Sequence, residues 1–299
     1  MGMQEGKSIY TSGIGPTPGK SVRPVKALGQ HFLIDKEIIA RVIEVANLSK
    51  DDAVLEIGPG TGNLTGRIAR ASRLVVAVEK DRRMAEILKK SLGSYDNIII
   101  LMQDIFDVDF STLSDISNEF KIVANIPYNI SSQLLTHFLE PLGSNTGSPL
   151  RISEMVLLVQ KEVAMRLVSP PGKKEYGILT VATGLFSTCE ILFDVPPECF
   201  HPRPKIISSV IRIRPYDMPR YELLDRRYFF TTVKAAFSQR RKTILNALSG
   251  SGYFKDDKET LSKALHESGV DGKLRGEALS ILQFVDLANS FFRLGLLSN

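Results

Sequence analysis

Five short apolar runs, at 53–57, 74–79, 98–102, 121–125 and 154–160, alternate with stretches whose apolar residues recur at helical spacing. Runs of that length, separated by helical segments, predict a parallel, doubly wound sheet with helices on its faces. Two further stretches, Glu190 to Val195 and Ile206 to Ile213, read as an antiparallel pair that closes the sheet. Past Pro215 the strand pattern stops, and helices are expected at about 222–249, 257–268 and 275–294, with a break at Gly250-Ser251-Gly252. Leu279, Ile281, Phe284, Leu287 and Phe291 form an apolar stripe read as helix core. The expected organisation is a disordered leader over 1–22, an α/β domain over 23–216 and a small all-helical domain over 217–299.

Candidate chemistry sits where the apolar runs end. Ala53 to Ile57 leads into Gly58-Pro59-Gly60-Thr61-Gly62 and then a helical pattern through Leu64, Ile68 and Ala69. Glycines let the backbone approach a ligand and leave N–H groups facing it, although one such turn is a weak signal. The next run ends in Glu79, 19 residues past Gly60, where an acid can bind both hydroxyls of a ribose. After the third run come Gln103-Asp104-Ile105. Asp104 is placed to accept a hydrogen bond from an adenine amino group while Ile105 packs on the ring.

The fourth run ends in Asn125-Ile126-Pro127-Tyr128. An exocyclic amino nitrogen is a poor nucleophile because its lone pair is delocalised into the ring. The Asn125 oxygen and a backbone carbonyl in the Pro127 region would accept its two protons and turn the lone pair towards an electrophile. Tyr128 offers a face for stacking, and Pro127 stiffens the turn. Alone, the tetrapeptide reads as an ordinary strand-end turn. Together with the other three strand ends it points to S-adenosylmethionine and transfer of a methyl group to an amino nitrogen. A nicotinamide dehydrogenase would share the first two features, but typically spaces its glycines G-x-G-x-x-G and predicts no Asn-x-Pro-Tyr.

From about Lys26 almost to its end the chain resembles the KsgA (RsmA) small-subunit ribosomal RNA adenine dimethyltransferases. The motifs are Leu28-Gly-Gln-His-Phe-Leu33, Glu56-Ile-Gly-Pro-Gly-Thr-Gly62, Asn125-Ile-Pro-Tyr-Asn-Ile-Ser131, His201-Pro-Arg-Pro-Lys205 and Ala236-Phe-Ser-Gln-Arg-Arg-Lys-Thr243. The resemblance implies a Rossmann-like class I methyltransferase sheet and conversion of two adjacent adenosines near the 3′ end of 16S rRNA to N6,N6-dimethyladenosine, without a metal. It places His31, Leu33, Gly58, Glu79, Asp104 and Asn125 at the cofactor, and Asn125, Pro127 and Tyr128 at the reacting amino group. His31 stands where many members have Asn, and both can hydrogen-bond. Ile126 replaces the first proline of the broader Asn/Asp-Pro-Pro-Tyr pattern, which favours rRNA over DNA or protein glutamine. By the resemblance Phe200, or else Phe32, is expected to give a second aromatic face, a core position being the other reading of Phe200.

Charge adds a partner. The chain of 299 residues has net charge +5, yet 201–243 hold 11 Lys and Arg against three acids, so that segment is +8 and the rest is −3. A basic stretch beside a cofactor domain is a footprint for phosphate backbone. Arg203, Lys205, Arg240, Arg241 and Lys242 are the expected RNA contacts, the last three on a helix anchored by Val233, Ala236, Phe237 and Ile244. Cys189 and Cys199 lack metal-ligand spacing. No run is apolar enough to span a bilayer, and the leader has no signal-peptide core. A monomeric cytoplasmic enzyme acting on a pre-30S or 30S-like particle is expected, with a role in small-subunit biogenesis. Rivals are the related macrolide-resistance enzymes of large-subunit rRNA, an assembly factor whose binding outweighs its catalysis, and an N6-adenine DNA methyltransferase.

Overall fold

The computed structural model describes residues 29–142, 150–218, 220–254 and 258–298. The expected leader and Leu28 lie outside the described residues.

The apolar runs become strands close to their expected bounds: β2 Ala53–Ile57, β3 Leu74–Val78, β4 Ile98–Leu101, β5 Glu119–Asn125 and β6 Arg151–Gln160. Together with β7 Ser187–Val195 and β9 Ser208–Pro215 they form a seven-stranded sheet in the order β4-β3-β2-β5-β6-β9-β7. The first five strands are parallel, and β9 runs antiparallel to both β6 and β7. The closing pair is therefore as expected, with β9 inserted between β6 and β7. The central strands are mostly apolar because both faces are covered: all five β2 residues are buried, Glu56 among them.

Between β2 and β5 the winding reverses, since β3 and β4 lie on one side and β6 on the other. At such a switch point the loops after the carboxyl ends diverge and leave a crevice. The loop after β2, Glu79 after β3, Asp104 after β4 and Asn125 at the end of β5 all open there. A second, two-stranded sheet not anticipated from the pattern pairs β1 Phe32–Leu33 with β8 Phe200–His201 and brings the segment before α1 Lys36–Ala46 to the crevice rim. Two-residue strands carry no periodicity to read.

In the C-terminal part, the helix expected over 222–249 is two helices, α8 Arg226–Ser238 and α9 Ile244–Ser249. Thr243 caps α9, its hydroxyl accepting from the Asn246 N–H, and the N–H groups of Ile244 and Leu245 donate to the Leu274 and Gly272 carbonyls. That tertiary pairing stops the helix, because two of its first amides are spent outside it. The helix expected over 275–294 begins at Ser280, which caps α11 Ile281–Arg293 in a reciprocal box with Gln283. The helical core reaches back across residue 216: Tyr176, Val181 and Leu185 pack with Phe229, Leu279 and Phe284. The Tyr176 hydroxyl donates to the Leu279 carbonyl at 2.8 Å. Gly276 lies so close to α8 that a Cβ there would meet the Ala236 carbonyl oxygen at 2.8 Å. No helix among the described residues is long and apolar enough to cross a membrane.

Candidate active site

The glycine turn is built by conformations that side chains resist. Gly58, Gly60 and Gly62 all have positive φ, at 65°, 57° and 83°. At Gly60 a Cβ would lie 2.7 Å from the Phe32 ring, and at Gly58 it would press on the Pro127 ring at 3.3 Å. The turn is thus pinned on both sides by residues of two other motifs. The Gly60 N–H donates to Glu79 Oε2 at 3.1 Å, and the Asp81 N–H donates to Oε1 at 2.8 Å. Each Glu79 oxygen keeps a lone pair for a ligand hydroxyl. Burial pushes the Glu79 carboxyl above its ordinary range, opposed by those backbone donors.

Asp104 meets Lys80 Nζ at 2.6 Å through Oδ2 and accepts the Phe106 N–H through Oδ1. Burial works against its charge, but the Lys80 ammonium and the Phe106 N–H prevail and hold the carboxyl below its usual range. On β2, just before the glycine turn, Glu56 is only 2% exposed. Burial, with the Glu79 charge adding to it, pushes its carboxyl up to about 8.

Asn125 has the most telling geometry. Its Nδ2 donates to the His31 carbonyl at 2.8 Å, while its Oδ1 is buried without a partner among the described residues. A carbonyl can only accept, so the amide nitrogen must face His31 and the oxygen must face the crevice. Buried acceptors left empty are costly, and such an orphan marks a place for a donor. His31 in turn engages the Pro202 carbonyl through Nδ1 at 2.7 Å, so that nitrogen carries the proton. The Tyr128 ring lies 5.1 Å from the His31 ring at a tilt of 31°. One crevice is lined by His31, Gly58, Glu79, Asp104, Asn125, Pro127 and Tyr128, that is, by most of the expected site.

Four expectations change. Leu33 is 4% exposed and packs in the core; its carbonyl accepts from Asn63, and it does not line the crevice. The Pro127 carbonyl receives the Ile130 N–H and the Ser131 hydroxyl at the start of α5 Ser131–Leu142, so both lone pairs are occupied and it is no free acceptor. Phe200 is 3% exposed within the same core as Leu33, and its ring offers no stacking face. Phe32, by contrast, does line the crevice.

The fourth change concerns Arg240, Arg241 and Lys242, which lie in the turn between α8 and α9 and not on a helix. Arg240 is committed: its Nη2 donates to the Lys174 and Tyr176 carbonyls and meets Glu277 at 3.0 Å. Arg241 and Lys242 are exposed, as is Lys205. Arg203 is exposed too, but paired with Glu198. Among the described residues no group of three or more His, Cys, Asp or Glu could hold a metal ion.

A glycine-pinned crevice at a sheet switch point, two acids along its wall and a free amide oxygen beside a tyrosine define a Rossmann-like methyltransferase with an amino acceptor. The chain belongs to the family described as Ribosomal RNA adenine dimethylase, whose sequence model matches residues 23–292. It is 41% identical over 271 residues to Ribosomal RNA small subunit methyltransferase A of Halothermothrix orenii, covering 89% of this chain and 88% of that one. Identity to the protein of the same name from Clostridioides difficile is 40% over 267 residues, 88% of this chain and 89% of the other. Among solved structures, a dimethyladenosine transferase from Plasmodium falciparum superposes with a TM-score of 0.73 at 26% identity, over 89% of this chain and 99% of that one. The 23S rRNA methyltransferase ErmE gives 0.64 at 28% identity, over 87% and 98%. The methyl donor is S-adenosylmethionine, and the residues present fit it: Glu79 and Asp104 offer acceptors at two successive strand ends, and the glycine turn leaves room for close backbone approach.

Proposed function

We propose that the protein dimethylates two adjacent adenosines at N6 near the 3′ end of small-subunit rRNA, within a pre-30S or 30S-like particle and as a cytoplasmic monomer. The observation that carries this reading is the buried, unpartnered Asn125 Oδ1 beside the Tyr128 ring. When bound, S-adenosylmethionine supplies an electrophilic methyl group. Asn125 Oδ1 accepts one amino hydrogen of the target adenine. With the Pro127 carbonyl occupied, Ile126, which also lines the crevice, provides the neighbouring backbone carbonyl as second acceptor. Two acceptors hold the nitrogen towards tetrahedral geometry, and Tyr128 fixes the extruded ring by stacking. The amino proton becomes acidic as nitrogen is alkylated, so solvent can take it and no dedicated base is needed.

The deciding experiment is transfer of labelled methyl groups to under-methylated small-subunit particles, followed by nucleoside analysis. Dimethyladenosine in small-subunit rRNA is the expected result; label in large-subunit rRNA alone would replace this reading with that of the resistance enzymes.

RNA contact is assigned to the turn after α8. The Gly172 N–H donates to the Glu277 carbonyl, and Ile244 and Leu245 to the 272–274 loop, so Lys173, Lys174, Arg241, Lys242, Lys273 and Arg275, all exposed, lie on neighbouring loops. Replacing Arg241 and Lys242 by alanine is expected to weaken particle binding and flatten its salt dependence by roughly one to two in logarithmic slope. A binding curve whose salt slope stays the same would remove these residues from the interface. Arg240→Ala should instead lower the unfolding midpoint, since it leaves Glu277 and two carbonyls unserved.

A further inference from the structure

The segment from His201 to Ser208, which carries the expected RNA contacts Arg203 and Lys205, turns inward at both ends. At one end the Pro202 carbonyl fixes the His31 imidazole. At the other, Ser208 Oγ meets the Tyr128 hydroxyl at 2.5 Å. These contacts close a circuit: Asn125 holds the His31 backbone, His31 holds Pro202, and Ser208 returns to Tyr128, three residues past Asn125.

Ser208 is a rigid post. It is fully buried, at 0% exposure, and stands at the first position of β9, paired with Gln160 on one side and Val195 on the other. The preceding Ile207 carbonyl also receives the Lys161 N–H at 3.0 Å. A hydroxyl held by two flanking strands moves little, so the ring it anchors is fixed at its outer end, which sets the direction of its axis.

His31 already covers one face of that ring. Slipping a base between the two would require roughly 7 Å, twice the 3.4 Å spacing of stacked bases, whereas their centroids are 5.1 Å apart. The target base therefore has one Tyr128 face to use.

Resting on the adenine-methylating reading above, we infer that Ser208 is a positioning residue: it holds Tyr128 through the phenol oxygen, so that Tyr128 acts on the target base only through the ring face turned away from His31. The Tyr128 hydroxyl then has no role towards the substrate. Burial agrees, since it pushes the phenol above its ordinary range, against the opposing Ser208 contact, and so away from service as a base.

The test is a double-mutant cycle of Ser208→Ala and Tyr128→Phe, using labelled methyl transfer to under-methylated small-subunit particles and calorimetric binding of S-adenosylmethionine. Each single variant is expected to lower kcat roughly three- to tenfold, the worth of one hydrogen bond. The KM for particles and the affinity for S-adenosylmethionine should hold, and the double variant should be no slower than either single one. Additive losses, or full kcat in Ser208→Ala, would overturn the inference. Should Ser208→Ala fail to fold, Tyr128→Phe, which keeps the ring, decides: reduced kcat at unchanged KM supports the positioning role, and full kcat overturns it. A wild-type protein that leaves these adenosines unmethylated would instead sink the functional reading, and the inference with it.

Discussion

Replacing Asn125 by alanine is expected to cut methyl transfer by roughly 10²–10³-fold, the usual loss when one preorganised polar contact to a reacting group is removed. Oδ1 is the part that matters most. It is buried and unpartnered in the free protein, so it costs nothing further to present when an amino group arrives. Alanine also removes the Nδ2 contact to the His31 carbonyl, which anchors the segment leading to Phe32. That second loss bears on the cofactor side and should weaken S-adenosylmethionine binding by no more than about tenfold, as for a single hydrogen bond. The two effects separate in single-turnover transfer measured at saturating S-adenosylmethionine, with affinity followed by calorimetry. Particle binding, proposed above to rest on the basic turn after α8, should be retained. A variant that transfers methyl groups at near wild-type rate would show that the acceptor lies elsewhere.

Most of the parallel sheet was legible because each strand is a short apolar run and the candidate site residues sit at the run ends, where polarity returns. Glu79, Asp104 and Asn125 needed only that alternation and a spacing. Features that depend on pairing between distant segments were not legible. Nothing local distinguishes Leu33 or Phe200 as core residues, since their burial follows from pairing across 167 positions in the β1–β8 sheet. The charge of Arg240 says nothing about which carbonyls it will reach. The break after Ser238 was half visible: Thr243 is a good cap, but an uninterrupted helical pattern of apolar residues outweighs one threonine until the 272–274 loop takes up the first amides of α9. Ser280 with Gln283 was a readable capping signature for α11. Motif strength also hid a role. His201-Pro-Arg-Pro-Lys205 drew notice through the charges of Arg203 and Lys205, which are exposed, while its Pro202 carbonyl meets the His31 ring and the nearby Ser208 meets the Tyr128 hydroxyl.

Glu56→Gln is expected to stabilise the ligand-free protein at alkaline pH, by an amount that grows from little near pH 5 to roughly 4–5 kcal/mol above pH 8. The sign follows from burial. The folded-state carboxyl titrates at about 8 against an ordinary 4.5. Between those values the folded chain keeps a proton that the unfolded chain has released, so each rise in pH favours unfolding. The contribution is complete below the ordinary value and is lost as pH climbs through the window to the folded one. Glutamine cannot ionise and removes this slope. Glu79, also raised by burial, tilts the wild type and the variant in the same direction, so the difference between the two isolates Glu56. Denaturant unfolding at intervals from pH 5 to pH 9 gives the comparison directly. Parallel stability profiles would mean that the Glu56 carboxyl is ionised at no cost in the folded chain, through a donor reaching its unpartnered Oε2. Diverging profiles would identify an acid inside β2 held against its preference beside the charge of Glu79.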